Sequence, residues 1–127
     1  TPLALDVARE ILYVPAANPA PDFPVDERGG TNLYTSSVIA LEARTGRVLW
    51  TTDLVERFQS QWGVWGLAEN LLVEDNRVYC MAGGAKGRVV ALDPRTGETI
   101  WVNAALEYPA AYCSPAIIAL TDGTSAS

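Results

Sequence analysis

Two stretches of this chain concentrate the side chains that could meet a ligand. The first, Pro15–Asn32, carries Asn18, Asp22, Asp26 and Glu27 among four prolines. Each proline fixes φ and stiffens the segment, which reads either as a loop lining a ligand site or as a solvated surface ornament. The second, Gln59–Gly66, holds Trp62 and Trp65, each beside a glycine. Glycine next to an indole lets a backbone come close beside a flat apolar plate, which suits a planar ligand and equally suits packing between sheets. Histidine is absent from the 127 residues. His-based triads, His metal sites and imidazole acid–base chemistry are thereby excluded, and no nucleophile elbow is present. Cys80 and Cys113 are too few and too far apart for a zinc site. They read as buried thiols in strands or as a disulfide between neighbouring strands.

The composition that must position these residues is that of a globular domain, 49% hydrophobic and 19% charged, enough for one modest core. A formal charge of -6 repels a phosphate backbone, so nucleic acid is not an expected partner. No apolar run approaches the roughly 20 residues of a membrane helix, and the first residues lack the basic start and apolar core of a signal peptide.

One internal repeat organises the chain. Val38–Trp50 reads VIALEARTGRVLW and Val89–Trp101 reads VVALDPRTGETIW, at an offset of 51 residues. That spacing is close to the roughly 40–50 residues of one propeller blade. In each copy an apolar β-branched run favours a strand, and a small residue, Ala40 or Ala91, leaves room for a bulky neighbour. An acidic residue then precedes Arg-Thr-Gly, where a carboxylate can accept a turn N–H and glycine supplies the positive φ. The chain reverses into a second strand that ends in tryptophan, whose apolar area can cement one repeat to its neighbour. Glu42 stands where the second copy has Asp93, and its extra methylene predicts a weaker turn cap.

Further strands are predicted around these hairpins. Leu3–Val7 and Glu10–Val14 flank one turn; Asn70–Val73 and Arg77–Cys80 flank Glu74–Asn76. No segment shows helical periodicity over three turns. The fold class is therefore all-β: a β-propeller fragment of about two and a half four-stranded antiparallel blades. Blade 1 is placed at 1–55, blade 2 at 64–105, and the opening strand of a third at 112–121. Closed propellers have about 4–8 blades, so either further blades belong to a longer chain or several copies share one ring. The first blade also carries an insertion: Tyr13 to Val38 spans 25 residues where Tyr79 to Val89 spans 10.

The tandem Ala-Leu-(Asp/Glu)-x-x-Thr-Gly-x-x-x-Trp is similar to the tryptophan-docking motif of the pyrroloquinoline-quinone (PQQ) type of propeller repeat. More narrowly, Leu12–Phe23 followed by Arg28–Val38 resembles the signature stretch of PQQ-dependent alcohol dehydrogenases. That resemblance implies Asn18 as a ligand of the calcium that holds the quinone, an amide oxygen being a suitable hard donor. The family then carries His-Asp-x-Trp-Asp-Tyr, in which the Asp after Trp is the general base. Here the aligned stretch is Gln59-Ser-Gln-Trp-Gly-Val, and Gly63 stands where that carboxylate belongs.

A glycine cannot take a proton from an alcohol, so no catalytic residue is assigned unless Asp53 or Glu56 takes that place. The family's stacking Trp would fall before Thr1; Trp65 occupies the equivalent place in the second blade and is the cofactor-binding candidate. From Trp65 onward the chain is more similar to bacterial PQQ-like propellers without assigned chemistry, among them BamB-like scaffolds that bind proteins and no quinone. The resemblance thus implies an exported, periplasmic protein. It is expected to be a binding propeller with a protein partner, or else a PQQ- and Ca²⁺-dependent dehydrogenase acting on a small alcohol or sugar.

Overall fold

The computed structural model describes residues 3–17, 34–61, 71–105, 114–120 and 125–126. Eight strands form two four-stranded antiparallel meanders. The first sheet holds β1 (Ala4–Asp6), β2 (Ile11–Ala16), β3 (Ser37–Glu42) and β4 (Val48–Asp53) in that order. A helical turn, α1 (Leu54–Phe58), follows. The second sheet repeats the arrangement with β5 (Leu72–Glu74), β6 (Arg77–Cys80), β7 (Val89–Leu92) and β8 (Thr99–Asn103). Beyond them β9 (Ile118–Ala119) and β10 (Ser125–Ala126) form a short antiparallel pair.

The repeat read from the sequence is reproduced in register. Ala40 pairs with Trp50 and Ala91 with Trp101, and each hairpin slips register at the next residue, between Ala40 and Leu41 and between Ala91 and Leu92. The turns close alike: Gly46 N donates to Glu42 O at 2.8 Å and Gly97 N to Asp93 O at 2.9 Å, with φ of +75° and +72° at the glycines. These are backbone angles that a side chain with a Cβ adopts only at a cost.

Three local expectations change. The first turn is Val7 to Glu10, because Asp6 completes β1 and folds its carboxylate back onto Arg9 N at 3.0 Å. The turn between β5 and β6 narrows to Asp75-Asn76, both at positive φ, which is a type I′ hairpin geometry. Strand β2 continues through Pro15, which the sequence assigns to the loop. Proline is tolerated there because β1 pairs only as far as Tyr13, so the last residues of β2 have one neighbour strand rather than two.

The core lies between the sheets. Tyr13, Val38, Ala40 and Trp50 from one face of the first sheet meet Val78, Cys80, Val90 and Leu92 from one face of the second. Strand alternation puts each set on a single face. Tyr13 and Trp50 pack as a tilted aromatic pair with centroids 6.0 Å apart. Trp50 Nε1 donates to Pro94 O at 2.9 Å and Tyr13 OH to the same oxygen at 3.2 Å. The indole lies over Gly97, where an added Cβ would come within 2.4 Å of its Cε3. Thr52 Oγ1 and Arg57 Nη1 both donate to Gly97 O, at 2.9 and 2.6 Å. At the inner edge β1 lies beside β5, and Arg9 donates to Asn76 Oδ1 across the gap.

Ionisation follows this packing. Burial raises the Asp6 carboxyl, but the hydrogen bonds and charge of Arg9 outweigh it and leave the group below the usual carboxylate range. Burial, reinforced by the charge of Asp6, pushes the Tyr13 phenol up to about 12 and keeps it a donor to Pro94. Cys80 is buried in β6, and Cys113 lies outside the described residues.

Candidate functional site

The two ends of the sheets differ. At one end the strands are joined by tight turns at 7–10, 43–47, 75–76 and 93–98. At the other end the long connections leave and return: 17–36 between β2 and β3, 54–71 between β4 and β5, and 81–88 between β6 and β7. Loops held by a rigid scaffold are where binding residues concentrate, and all three residues nominated from the sequence belong to this end's connections. Asn18, Gly63 and Trp65 themselves lie outside the described residues.

The described feet of those segments are tied together. Ser36 N donates to Ala17 O at 3.1 Å, beside Asn18, and Ser36 O accepts from Leu54 N at 3.1 Å, at the start of the connection that carries Gly63 and Trp65. Helix α1 anchors that connection. Its Leu54 and Phe58 are buried, and Gln59 closes it in the left-handed conformation with φ 55°. Ser60 Oγ then donates to Leu54 O at 2.8 Å, and Ser60 forms a β-bridge with Gly84. The loop 81–88 needs its glycines for this contact: a Cβ at Gly84 would lie 1.9 Å from Phe58 O, and one at Gly87 3.0 Å from Phe58 Cδ1.

Around α1 are two shallow concavities. One of about 440 Å³ is lined by Val55, Gln59, Ser60, Gln61 and Ala85, next to the chain's path toward Gly63. The other, about 340 Å³, is lined by Thr51, Asp53, Glu56 and Arg57. Asp53 and Glu56, the carboxylates considered as substitutes for the missing base, therefore line a different hollow from Gln59–Gln61. Asp53 is also engaged: it is the N-cap of α1, and its Oδ1 accepts Glu56 N at 2.9 Å. Among the described residues no group of three or more Asp, Glu, His or Cys is gathered as a metal site. Asn18, which the resemblance makes a ligand of a quinone-bound calcium, lies outside those residues, so no step through that group follows.

Sequence reasoning missed α1, which is too short to show periodicity. Its signal was the Asp53-x-x-Glu56 start, a helix-capping pattern. The carbonyls of Pro94 and Gly97, which receive three donors from the first sheet and one from α1, were also missed, since backbone acceptors leave no mark in residue types.

A protein named outer membrane protein assembly factor BamB, from Kangiella koreensis, is 36% identical over 75 residues, 59% of this chain and 16% of its own length. The crystal structure of quinohemoprotein alcohol dehydrogenase from Comamonas testosteroni aligns with a TM-score of 0.46 at 23% identity, over 78% of this chain and 12% of that one. This chain thus spans a small part of either protein. The family model described as glucose/ethanol/alcohol dehydrogenase, beta-propeller domain, matches residues 1–65, just over half of the sequence. With the tandem repeat, the two meander sheets and that match, the chain belongs to the PQQ β-propeller family.

Proposed function

We propose that this chain is a PQQ-like blade segment of an exported, periplasmic bacterial propeller that acts as a binding or scaffold surface for a protein partner. Residues 1–55 and 64–105 are its two blades, 112–121 opens a third, and the remaining blades complete the ring. The observation that carries this reading is Gly63 in the place of the dehydrogenase base, while Asp53 is committed to capping α1. The similarity to the assembly factor of Kangiella koreensis points the same way. Among the described residues no helix is long and apolar enough to cross a membrane.

A second reading is favoured by the family match over residues 1–65. In it the chain is part of a PQQ- and Ca²⁺-dependent dehydrogenase of alcohols or sugars, with Asn18 among the calcium ligands and Trp65 against the quinone. The quinone would supply hydride acceptance. The test is to titrate the full-length protein with PQQ and Ca²⁺, following quinone absorbance and dye-linked oxidation of alcohols and sugars. Scaffold function predicts no quinone binding at micromolar cofactor; saturable binding with substrate-dependent dye reduction would establish the dehydrogenase instead.

A further inference from the structure

Strand β4 is the outer edge of the first sheet and pairs with β3 alone. Leu54 N donates to Ser36 O at 3.1 Å, next in register to the pair of Asp53 and Ser37. That bond sets the phase of the antiparallel ladder. Trp50 and Thr52 turn their backbone groups toward β3, and Thr51 and Asp53 turn theirs to the open edge. Propeller blades meet through their faces, so the other blades of a ring leave this edge uncovered.

The residues along the edge are polar and exposed. Side chains alternate along a strand, so Thr51 and Asp53 project to the side opposite the buried Trp50 and Thr52. With Glu56 and Arg57 they line the hollow of about 340 Å³ beside α1. Arg57 is drawn toward the second sheet, where its Nη1 donates to Gly97 O at 2.6 Å. Neither Asp53 nor Glu56 joins an ion pair among the described residues. The hollow thus holds two carboxylates without an ion-pair partner, at the rim of a chain whose formal charge is -6. The places corresponding to Thr51 and Asp53 in the second copy of the repeat are Val102 and Ala104, which offer no carboxylate.

We propose that β4 is the docking edge for the protein partner of the scaffold: an extended segment of that partner adds as a strand beside β4, and a lysine or arginine of the segment enters the hollow lined by Asp53 and Glu56. This rests on the scaffold reading and names the chemistry of its partner. Thr51 contributes its N–H and C=O and Asp53 its N–H to the added strand, and main-chain bonds of this kind give affinity whatever the side chains. The carboxylates supply the selection, because they attract a basic side chain and repel an acidic one. The same charges deter the bare edge from pairing with another copy of itself, the hazard of an open strand.

Fluorescence anisotropy on the full-length protein tests this, with a labelled peptide of alternating threonine and valine around one central lysine as the probe. Saturable binding is expected, weaker by on the order of tenfold or more when glutamate replaces the lysine. Thr51→Pro removes an N–H that β3 does not use, so the sheet keeps its ladder while the peptide is expected to bind on the order of tenfold more weakly. Glu56→Lys is expected to weaken the lysine peptide by a similar factor and to favour the glutamate peptide. Glu56 is exposed, so this variant carries the test even if Thr51→Pro does not fold. Absence of saturable binding overturns the proposal, and so do equal affinities for the two peptides or wild-type affinity in either variant. The scaffold reading fails separately, by the quinone titration: a protein that binds neither quinone nor peptide keeps that reading and loses this edge.

Discussion

Trp50 and Trp101 occupy the same place in two copies of one hairpin, yet one is sealed and the other open. Trp50 has a glycine beneath its ring and a carbonyl at its Nε1, both from the following sheet. Trp101 has the same strand, the same facing alanine and the same register slip. The difference lies outside the hairpin: what makes the indole a structural clasp is the turn of the next sheet. A blade is therefore a unit of folding pattern, and a pair of blades is the unit of burial, as expected of repeats that bury their faces only against neighbours.

The largest expected effect tests this asymmetry directly. Trp50→Ala should cost about 3–5 kcal/mol of unfolding free energy, because it empties a buried site and leaves the Pro94 carbonyl with only the longer bond from the Tyr13 hydroxyl. Trp101→Ala should cost about 1 kcal/mol or less in the monomer. Denaturant titration of the two variants measures the gap, and equal losses would mean that the sheets do not depend on the shared interface.

Next come the glycines. Gly97→Ala combines positive φ with overpacking against the indole and should cost about 2–4 kcal/mol, whereas Gly46→Ala meets open space and should cost about 1. Thermal unfolding of the pair reads this out.

Titration gives a smaller contrast, since all three ion pairs among the described residues belong to the first sheet. The lowered Asp6 carboxyl contributes stability that is complete above the ordinary Asp value of about 3.9 and is lost as pH falls through its lower folded value. Asp6→Asn should remove that acid-side loss, at about 1–2 kcal/mol in neutral solution. Tyr13 works in the opposite sense. Its phenol is raised to about 12, so its contribution is complete below the ordinary 10 and is lost as pH rises toward that value. Tyr13→Phe should flatten the alkaline limb of stability against pH.

The smallest effect concerns the turn caps. Asp93 Oδ1 accepts Arg95 N at 2.8 Å and Thr96 N at 3.2 Å, while Glu42 turns to the Thr45 hydroxyl and leaves those amides without its carboxylate. Glu42→Asp should make the first turn resemble the second and stabilise by about 0.5 kcal/mol. A melting temperature that does not rise would mean that Thr45 already compensates.

These contrasts also explain what could be read in advance. Gly46, Gly97 and the tryptophans were legible because each meets a demand that few residues meet, positive φ in a tight turn or a large apolar plate facing a small residue. The weaker cap at Glu42 followed from one methylene. Helix α1 was not legible by periodicity, because five residues complete little more than a turn. Pro15 in β2 was hidden because its tolerance depends on where β1 stops. The candidate site was less legible than the fold: Asn18, Gly63 and Trp65 were nominated by resemblance. Their feet meet through Ser36, whose backbone role no residue type announces.

The carbonyl of Pro94 gives the molecule a clock. The Trp50 indole proton it holds can exchange with deuterium only when the two sheets part, whereas that of Trp101, a residue 39% exposed, has no acceptor among the described residues to hold it back. Two resolved indole resonances in one spectrum would time the opening of the seam against an internal standard fifty-one residues away.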